Sequence, residues 1–218
     1  MTDDREAEIA TWRREYEDHG LVEADLSDDP VAAFIGWLSD AQRAGLYEPN
    51  AMVLSTVGPE GPSSRMVLLK QVDRRGFVFY TNYRSRKAGD LEFRPACSLL
   101  FPWHPLQRQA RVDGIARQLP AGESDAYFAT RPRNSQLGAW ASPQSNVVPD
   151  REYLAERYTR ESDRFAGVED IPRPAHWGGY VVRPHTIEFW QGRPGRMHDR
   201  VRFERSDEDS WDVTRLAP

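Results

Sequence analysis

The chain has 218 residues, 39% of them hydrophobic and 11% aromatic, which is enough to bury one sizeable core. Its formal net charge of -5 argues against a general nucleic-acid binder, because phosphate contacts need a broad basic surface. No apolar run approaches the roughly 20 residues of a membrane span, and the charged N-terminus lacks a signal-peptide core, so we expect a cytoplasmic protein without a membrane segment. Cys97, the single cysteine, lies in an apolar run and is expected to be a small buried side chain.

Lysine is rare in this chain. Of its 29 basic residues only Lys70 and Lys87 are lysine, and the rest are arginine. A mutational bias could explain why nearly all basic residues are arginine. In that case the two lysines would remain by chance, without a function. Both lysines, however, lie in segments with other features of ligand sites, and a compact ammonium is not equivalent to a planar guanidinium. We therefore interpret both as functional.

The first segments of the chain predict an arm and a helix. Residues 1–20 have helical spacing but many charges, and we expect them to form a mobile arm or lid. In the next segment Asp29 is a capping residue, Pro30 suits the first helical position and Gly45 ends the helix. The predicted apolar face of this helix consists of Val31, Phe34, Ile35, Leu38 and Ala41.

From residue 51 the apolar period shortens to that of strands. Residues 51–57, 63–72 and 77–82 read as strands separated by the turns GPEGP and DRRG, which indicates a meander. Further strands are predicted at 96–103, 108–119, 178–191, 197–206 and 211–218. Helices are predicted from about Ser85, at 122–131 and at 150–165. This pattern is typical of a closed antiparallel barrel with peripheral helices, and residues 21–218 are expected to form a single domain.

The first candidate anion site lies where the strand at 77–82 passes into the helix that begins near Ser85. Free N–H groups, the helix dipole and the charges of Arg86 and Lys87 converge there, which favours a phosphate. An ordinary helix with a solvated basic first turn is the alternative, but cations at a helix N-terminus oppose the dipole. Arg65, on the neighbouring predicted strand, is within reach of the same point.

A second candidate anion site follows in the segment DAYFATRPRNS. Tyr127 and Arg131 are four residues apart and share the face of a predicted helix. Pro132 ends that helix, and Ser135 follows in the loop. A packed surface pair of tyrosine and arginine is the alternative interpretation of this spacing.

Strand parity favours two separate phosphate sites. Arg65 and Lys70 are five residues apart, so on a regular strand they point to opposite faces unless a bulge intervenes. We therefore expect Arg65 to serve the first site and Lys70 the second. The segment WQGRPGRMHDR, residues 190–200, forms a further basic patch with three arginines and a histidine.

Several stretches in chain order carry a family resemblance. They are RMVLLK, FYTNYRSRKA, LLFPWHPLQRQ, RPRNSQLGAWASPQS, WGGY, IEFWQGRPGRMHDR and the closing RLAP. Together, from about Arg13 to Pro218, they resemble the pyridoxine/pyridoxamine 5'-phosphate oxidase family. The resemblance implies a mainly β fold with peripheral helices (α+β), the FMN-binding split β-barrel, assembled as a homodimer with FMN at the subunit interface. It implies oxidation of pyridoxine or pyridoxamine 5'-phosphate to pyridoxal 5'-phosphate, with O2 as acceptor and H2O2 as product.

The resemblance also assigns site residues. Its FMN contacts fall on Arg65, Met66, Val67, Leu68, Leu69, Lys70, Tyr80, Thr81, Arg86, Lys87, Gln109, Gln144, Ser145, Trp190 and Arg200, with Ser85 as a helper at the phosphate. Its substrate contacts fall on Lys70, Tyr127, Arg131, Ser135, Arg196 and His198. The arm residues Arg13, Arg14, Glu15 and Tyr16 match a segment that closes over the substrate.

Arg196 and His198 are the predicted catalytic residues, expected to hold the pyridine ring for transfer of two electrons to the flavin. Arg196 is interpreted as an orienting and electrostatic residue rather than a base, because guanidinium stays protonated. Pro194 and the added charge of Arg193 depart from the family pattern just before Arg196, and SDEDS predicts a longer hairpin tip. No metal site is expected, and structural or exposed positions are expected for His104, His176 and His185.

Two other functions stay open at this point. One is a related split-barrel flavin or deazaflavin oxidoreductase acting on another substrate, such as a phenazine precursor. The other is a flavin or pyridoxal-phosphate binding module without turnover. Lys70, Tyr127, Arg131 and Ser135 together favour a phosphorylated substrate. The presence of both Arg196 and His198 favours an enzyme over a binding module.

Overall fold

The computed structural model describes residues 9, 11, 12, 15–208 and 210–218. The chain divides into two compact units. The first consists of Met1–Tyr47, Pro102–Arg111 and Thr186–Pro218, and the second of Glu48–Phe101 and Val112–His185. The arm residues Arg13 and Arg14 lie outside the described residues. The division of the chain into an arm and one domain stays a prediction.

Nine strands within the described ranges form one sheet. They are β1 (Ala51–Gly58), β2 (Gly61–Leu68), β3 (Gln71–Asp73), β4 (Gly76–Asn82), β5 (Ala96–Trp103), β6 (Arg108–Gln118), β7 (Trp177–Gln191), β8 (Asp199–Arg205) and β9 (Trp211–Leu216). The strand order is β2-β1-β5-β6-β7-β4-β3, with β8 paired to β7 and β9 to β8. The sheet is antiparallel and unclosed, because β2 and β3 are the two ends of this order. The prediction of a closed barrel was therefore wrong, although the mainly β fold with helices is confirmed.

Five α-helices accompany the sheet in the part of the chain that the structure describes. They are α1 (Pro30–Arg43), α2 (Arg86–Phe93), α3 (Ala121–Ala129), α4 (Arg133–Ala141) and α5 (Arg151–Arg164). None of them is long and apolar enough to cross a membrane. Helix α4 was missed, because Pro132 was interpreted only as the end of the preceding helix. Pro132 is in fact the N-cap of α4, so Ser135 lies in a helix and not in a loop.

The predicted strand at 63–72 is two strands in the structure. Strand β2 pairs with β1 and ends at Leu68, whereas β3 begins at Gln71 and pairs with β4. Between them the Leu69 N–H donates to the Asn50 carbonyl (2.9 Å) and the Lys70 N–H to the Val78 carbonyl (2.8 Å). The chain thus changes partners at residues 69–70, and the alternation of a regular strand does not extend across this point.

Helix α1 begins as predicted but buries a different face. The Asp29 side chain accepts from the Val31 N–H at 2.9 Å, which confirms the cap. The buried residues are Pro30, Ala33, Phe34, Trp37 and Ala41. Ile35, expected in the core, is 46% exposed. The face is set by the Trp37 ring, whose centroid lies 5.0 Å from that of Phe189 and 6.4 Å from that of Trp103.

Gly76 allows the turn between β3 and β4. Its φ is +136°, a conformation that side chains with a Cβ rarely adopt, and an added Cβ would overlap the carbonyl oxygen of Val182 on β7. Gly61, the first residue of β2, also has a positive φ of +108°, but an added Cβ there would meet open space. Substitution of Gly61 would therefore introduce backbone strain alone, whereas substitution of Gly76 would introduce both backbone strain and steric overlap.

We expect Gly76→Ala to destabilise the protein more than Gly61→Ala. Backbone strain alone should cost about 1 to 2 kcal/mol at either position. Overlap with the Val182 carbonyl should add about 2 kcal/mol at residue 76. Chemical denaturation of both variants, followed by tryptophan fluorescence, measures the difference. Equal losses would mean that the β4–β7 pair relaxes freely around the new methyl group.

Candidate active site

A cavity of about 500 Å³ in the second unit collects most of the residues predicted for both phosphates. We call it the cation cavity. It is lined by Arg65, Met66, Val67, Leu68, Lys70, Tyr80, Thr81, Lys87, Tyr127, Thr130, Arg131, Pro132, Ser135, Gln144 and Trp177. The two predicted phosphate sites therefore belong to one cavity.

Positive charge dominates this lining. Arg65, Lys70, Lys87 and Arg131 contribute cationic groups, and no residue of the lining is an aspartate or a glutamate. Arg65 and Lys70 line the same cavity, as do the intervening Met66, Val67 and Leu68. The regular strand assumed between Arg65 and Lys70 does not exist, because the chain changes strand partners at residues 69–70 and the alternation of β2 ends before Lys70. The allocation of the two residues to different phosphates stays a prediction.

Arg65 is fixed by a chain of hydrogen bonds from β1 and α2. Its Nη1 donates to Thr56 Oγ1 at 2.6 Å, and Thr56 Oγ1 in turn donates to Asp90 Oδ2 at 2.6 Å. Its Nη2 donates to Ser63 Oγ at 2.7 Å and lies 3.4 Å from Asp90 Oδ2. Burial lowers the pKa of Arg65, and the charge of Asp90 opposes that shift. Arg65 is thus a partly neutralised cation in a fixed position.

Lys87 is a buried cation without a carboxylate partner among the described residues. Its Nζ donates to Ser85 Oγ at 3.3 Å and to Gln144 Oε1 at 3.1 Å. Thr81 Oγ1 donates to the same Gln144 oxygen at 3.1 Å. Burial, followed by the charge of Arg65, lowers the pKa of Lys87 to about 8. An anion in the cavity would oppose this shift, because a nearby negative charge favours the protonated amine.

Helix α2 begins beside Lys87, as predicted. Ser85 is its N-cap and makes no side-chain hydrogen bond to the first turn, so the helix N–H groups there have no side-chain cap. Ser85 is buried, whereas the exposed Arg86 reaches Glu60 at 3.5 Å. Neither residue lines the cation cavity, nor do Leu69 and the exposed Ser145.

The corner between α3 and α4 positions the second group of predicted residues. Tyr127 lies in the last turn of α3, Arg131 follows its end, and Ser135 lies near the start of α4. The buried Gln136 side chain donates to the Phe128 carbonyl at 3.0 Å, which ties α4 to the C-terminal end of α3. The predicted trio is thus brought together by a helix–helix corner.

Three aromatic rings lie parallel along this part of the cavity. The ring centroids of Tyr80 and Tyr127 are 3.9 Å apart, and those of Tyr80 and Trp177 are 5.3 Å apart. Burial raises the pKa of both tyrosines, so both phenols stay protonated at neutral pH. Gly179 permits the arrangement, because a Cβ there would stand 2.8 Å from the Tyr80 ring.

The first unit holds a second group of side chains, which we call the Tyr16 cluster: the predicted residues Tyr16, Trp190 and His198, together with Arg193. The Tyr16 ring meets the edges of Trp190 and His198 at centroid distances of 6.0 Å and 5.5 Å. The Arg193 N–H donates to His198 Nδ1 at 3.2 Å. Neutral His198 therefore carries its hydrogen on Nε2. Burial, followed by the charge of Arg196, lowers the pKa of His198, which favours this neutral form.

A cavity of about 740 Å³ adjoins these residues in the first unit. It is lined by Trp12, Glu15, Tyr16, His104, Pro105, Arg193, Gly195 and Arg196. Arg196 is exposed and has a φ of +61° next to Gly195, also at positive φ, so this turn holds a strained residue. The structure thus places Glu15, Tyr16 and Arg196 on one cavity of the first unit.

The remaining predicted residues of the first unit are Gln109, on β6, and Arg200, on β8. Arg200 is bound to the buried Glu188 by two hydrogen bonds, from Nε at 3.0 Å and from Nη2 at 3.1 Å. Its Nη1 donates to the Ala217 carbonyl at 2.9 Å. Arg200 therefore has a structural role at the C-terminus in addition to its predicted contact with FMN, which stays a prediction.

Eight residues of the two cavities were not predicted as site residues. Three of them, Thr130, Pro132 and Trp177, line the cation cavity, and the other five line the cavity of the first unit: Trp12, His104, Pro105, Arg193 and Gly195. Thr130 and Pro132 lie at the α3–α4 corner, where the sequence had indicated only the last turn of one helix and its end. Trp177 directly precedes Gly178 in the quoted WGGY stretch, and that position was the available signal.

Replacing Lys87 by a neutral residue should stabilise the ligand-free protein. Lys87→Met removes a buried charge that has no carboxylate partner, and we expect a gain of about 1 kcal/mol below pH 8. The gain should shrink as the pH rises from about 8 towards the ordinary lysine value of 10.5. In that interval Lys87 is neutral when folded and charged when unfolded, so rising pH stabilises the wild type. Denaturant titrations at pH 7 and pH 10 measure the change, and a constant difference between the two proteins would contradict the assignment.

Two family models match this chain. One, described as pyridoxamine 5'-phosphate oxidase, matches residues 38–163. The other, described as pyridoxine 5'-phosphate oxidase C-terminal dimerisation region, matches residues 177–218. Together they include every residue of the cation cavity and the Trp190, Arg193 and His198 members of the Tyr16 cluster.

Relatives with curated names match over nearly the whole chain. A pyridoxine/pyridoxamine 5'-phosphate oxidase from Nocardioides sp. strain JS614 is 55% identical over 212 residues, covering 97% of this chain and 98% of its own. The enzyme of the same name from Rubrobacter xylanophilus is 52% identical over 219 residues, covering 100% of both chains.

Solved structures resemble the fold as well. PhzG from Burkholderia lata 383, solved in complex with tetrahydrophenazine-1-carboxylic acid, has a TM-score of 0.85 and 32% identity, covering 93% of this chain and 100% of its own. A pyridoxamine 5'-phosphate oxidase-related, FMN binding protein from Nostoc punctiforme has a TM-score of 0.68 at 17% identity, covering 88% of this chain and 100% of its own, and supports the fold alone. From these matches we conclude that the chain belongs to the pyridoxine/pyridoxamine 5'-phosphate oxidase family.

Proposed function

We propose that this chain is an FMN-dependent oxidase of phosphorylated B6 vitamers, acting in vitamin B6 salvage. Pyridoxine 5'-phosphate and O2 give pyridoxal 5'-phosphate and H2O2. Pyridoxamine 5'-phosphate, O2 and water give pyridoxal 5'-phosphate, ammonia and H2O2. Eight curated relatives at 49% to 55% identity, each named pyridoxine/pyridoxamine 5'-phosphate oxidase, support the assignment.

The cation cavity is the observation that carries this proposal. Both FMN and the vitamers end in a phosphate that is largely a dianion at neutral pH. Four cationic side chains and no carboxylate line the cavity, so it favours anions with more than one charge. Arg131 Nη1 is buried without a hydrogen-bond partner in the described structure, as expected for a donor whose partner is a bound anion.

The residues present fit FMN at one side of this cavity. Arg65 and Lys87, beside the N-terminus of α2, would hold its phosphate, and Gln144 and Thr81 would add polar contacts. Bound FMN supplies the two-electron acceptor that the oxidation needs. The remaining cations, Lys70 and Arg131, would hold the substrate phosphate together with Tyr127 and Ser135.

Arg196 and His198 orient the substrate in this proposal. Neutral His198 has its Nε2–H free to donate, because its Nδ1 already accepts from the Arg193 N–H. It therefore acts as a hydrogen-bond donor in this state and not as a base. Arg196 remains charged and stabilises negative charge on the substrate. The Tyr16 ring, which contacts His198, excludes water from one side of that imidazole.

PhzG is the strongest argument for a different substrate. Its ligand, tetrahydrophenazine-1-carboxylic acid, bears one carboxylate, and its identity to this chain is 32%. With the FMN phosphate on Arg65 and Lys87, a single substrate carboxylate would compensate only one of the two remaining cations, Lys70 and Arg131, whereas a phosphate dianion would match both. A phosphorylated substrate therefore fits this cavity better than a phenazine precursor.

Peroxide release tests the proposal directly. The purified protein, loaded with FMN, is given pyridoxine 5'-phosphate, pyridoxamine 5'-phosphate or tetrahydrophenazine-1-carboxylic acid, and H2O2 is measured. We expect turnover with one or both phosphate esters. Turnover of the phenazine compound alone would assign the chain to PhzG-like chemistry, and binding of the esters without peroxide would make it a binding module.

Arg131→Ala should impair use of the substrate without releasing the cofactor. Loss of a charge-assisted contact to the substrate phosphate should lower kcat/KM by about 2 kcal/mol or more, which is roughly 30-fold. FMN should stay bound, because Arg65 and Lys87 are unchanged. Steady-state kinetics and the flavin absorbance of the gel-filtered variant measure the two effects. Loss of flavin with an unchanged KM would reverse the allocation of the two phosphates.

The match to a dimerisation region supports a homodimer. We propose that each site combines the cation cavity of one chain with the Trp190 to Arg200 block of its partner chain. Each dimer then holds two mixed sites.

Mixed dimers of two inactive variants test this arrangement. Lys87→Ala and Arg196→Ala homodimers should each be weak, whereas a heterodimer collects both lesions in one site and leaves the other intact. Random co-assembly makes about half of the dimers mixed, so about a quarter of wild-type peroxide release should return. Native mass spectrometry confirms that heterodimers have formed. Activity no higher than the parental mean would mean that each site is built within a single chain.

A further inference from the structure

The side chain of Arg131 is held by an aromatic face. Its Cζ lies 4.5 Å from the centre of the Trp177 ring and 5.5 Å from that of Phe128. These distances are in the range of cation–π contacts. In the described structure its Nη1 is buried and has no hydrogen-bond partner.

Trp177 is itself firmly placed. It is 6% exposed, begins β7, and packs in a cluster with Phe128, Leu137 and Phe165. Its indole lies nearly parallel to the Tyr80 ring, with an interplanar angle of 11°. The ring that carries Arg131 therefore has little freedom to move.

The contact differs in kind from the one that holds Arg65. Asp90 lies 3.4 Å from the Arg65 guanidinium and cancels part of its charge. An aromatic face orients a guanidinium without supplying a negative charge, so the guanidinium keeps its full attraction for an anion. Burial lowers the pKa of Arg131, in agreement with a cation that lacks a compensating carboxylate.

We propose that Trp177 is a positioning residue that sets the preference for phosphorylated ligands by holding Arg131, uncompensated, towards the substrate phosphate. This inference rests on the proposed function, since it assigns the substrate phosphate to Arg131. It predicts that the effect of Trp177 passes through Arg131 and concerns the phosphate alone.

A general role in the core is the rival explanation, and Trp140 supplies the control. The Trp140 ring packs against the same cluster and also carries an arginine, with Arg164 Cζ 4.7 Å from the ring centre. Trp140 does not line the cation cavity. Trp140→Leu therefore removes the same side-chain volume as Trp177→Leu, affects the same aromatic cluster and also eliminates one cation–π contact.

Binding of a matched ligand pair tests the inference. The probes are 4-deoxypyridoxine 5'-phosphate and 4-deoxypyridoxine, which differ only in the phosphate and lack the C4' hydroxyl group, so that this carbon cannot be oxidised to the aldehyde. Isothermal titration of the FMN-loaded protein gives Kd for each. Trp177→Leu should weaken the phosphate ester about tenfold and the alcohol less than about twofold. Trp177→Phe, which keeps a smaller ring face, should lose about threefold for the ester and carries the test if Trp177→Leu does not fold. Trp140→Leu should bind both probes as the wild type does.

The double variant decides whether the effect passes through Arg131. In an Arg131→Ala background, Trp177→Leu should change the Kd of the ester less than about twofold. Equal weakening of both probes, or a full loss added to that of Arg131→Ala, would overturn the inference and leave Trp177 a core residue. A wild type without preference for the ester would overturn the proposed function and the inference together, whereas a preference that survives in Trp177→Leu and Trp177→Phe overturns the inference alone.

Discussion

Positive charge that the protein itself leaves uncompensated is the feature on which the rest of this structure depends. Lys87 and Arg131 are buried or half-buried without carboxylate partners in the described residues, and hydrogen bonds or aromatic faces hold them instead. Arg65 is the contrasting case, because Asp90 neutralises part of its charge and fixes its position. Such an arrangement stabilises a bound phosphate at the expense of the ligand-free state, since a buried charge without a partner is costly.

Two interruptions of regular structure build the cavity. The chain changes strand partners at Leu69 and Lys70, which brings Lys70 to the same cavity as Arg65. Pro132 separates α3 from α4, and the corner gathers Tyr127, Arg131 and Ser135. Both interruptions place polar side chains at the ends of elements, where backbone direction changes and a ligand can approach.

The sequence predicted most elements, because capping residues, turn residues and strand periods are local signals. Most residues that line the cation cavity were also predicted, several of them only through the family resemblance. Prediction from the sequence failed where a neighbour in space decides the outcome. The buried face of α1 follows Trp37, whose partners Trp103 and Phe189 are distant in the chain. The division of residues 63–72 between two strands follows from pairing with different partners, β1 and β4. Trp177 escaped notice because its relation to Arg131 exists only in the folded chain.

In the proposed function, the uncompensated cavity would also couple the abundance of this protein to its ligands. A ligand that binds only the folded chain stabilises it by mass action, and the gain grows with the ratio of free ligand to Kd. The ligand-free chain carries the full cost of its unpaired cations and opens more often, so it is the better substrate for proteolysis. With the proposed phosphate ligands, we therefore expect scarcity of the ligand to shorten the lifetime of the polypeptide, so that the steady-state amount of folded protein would follow the ligand supply.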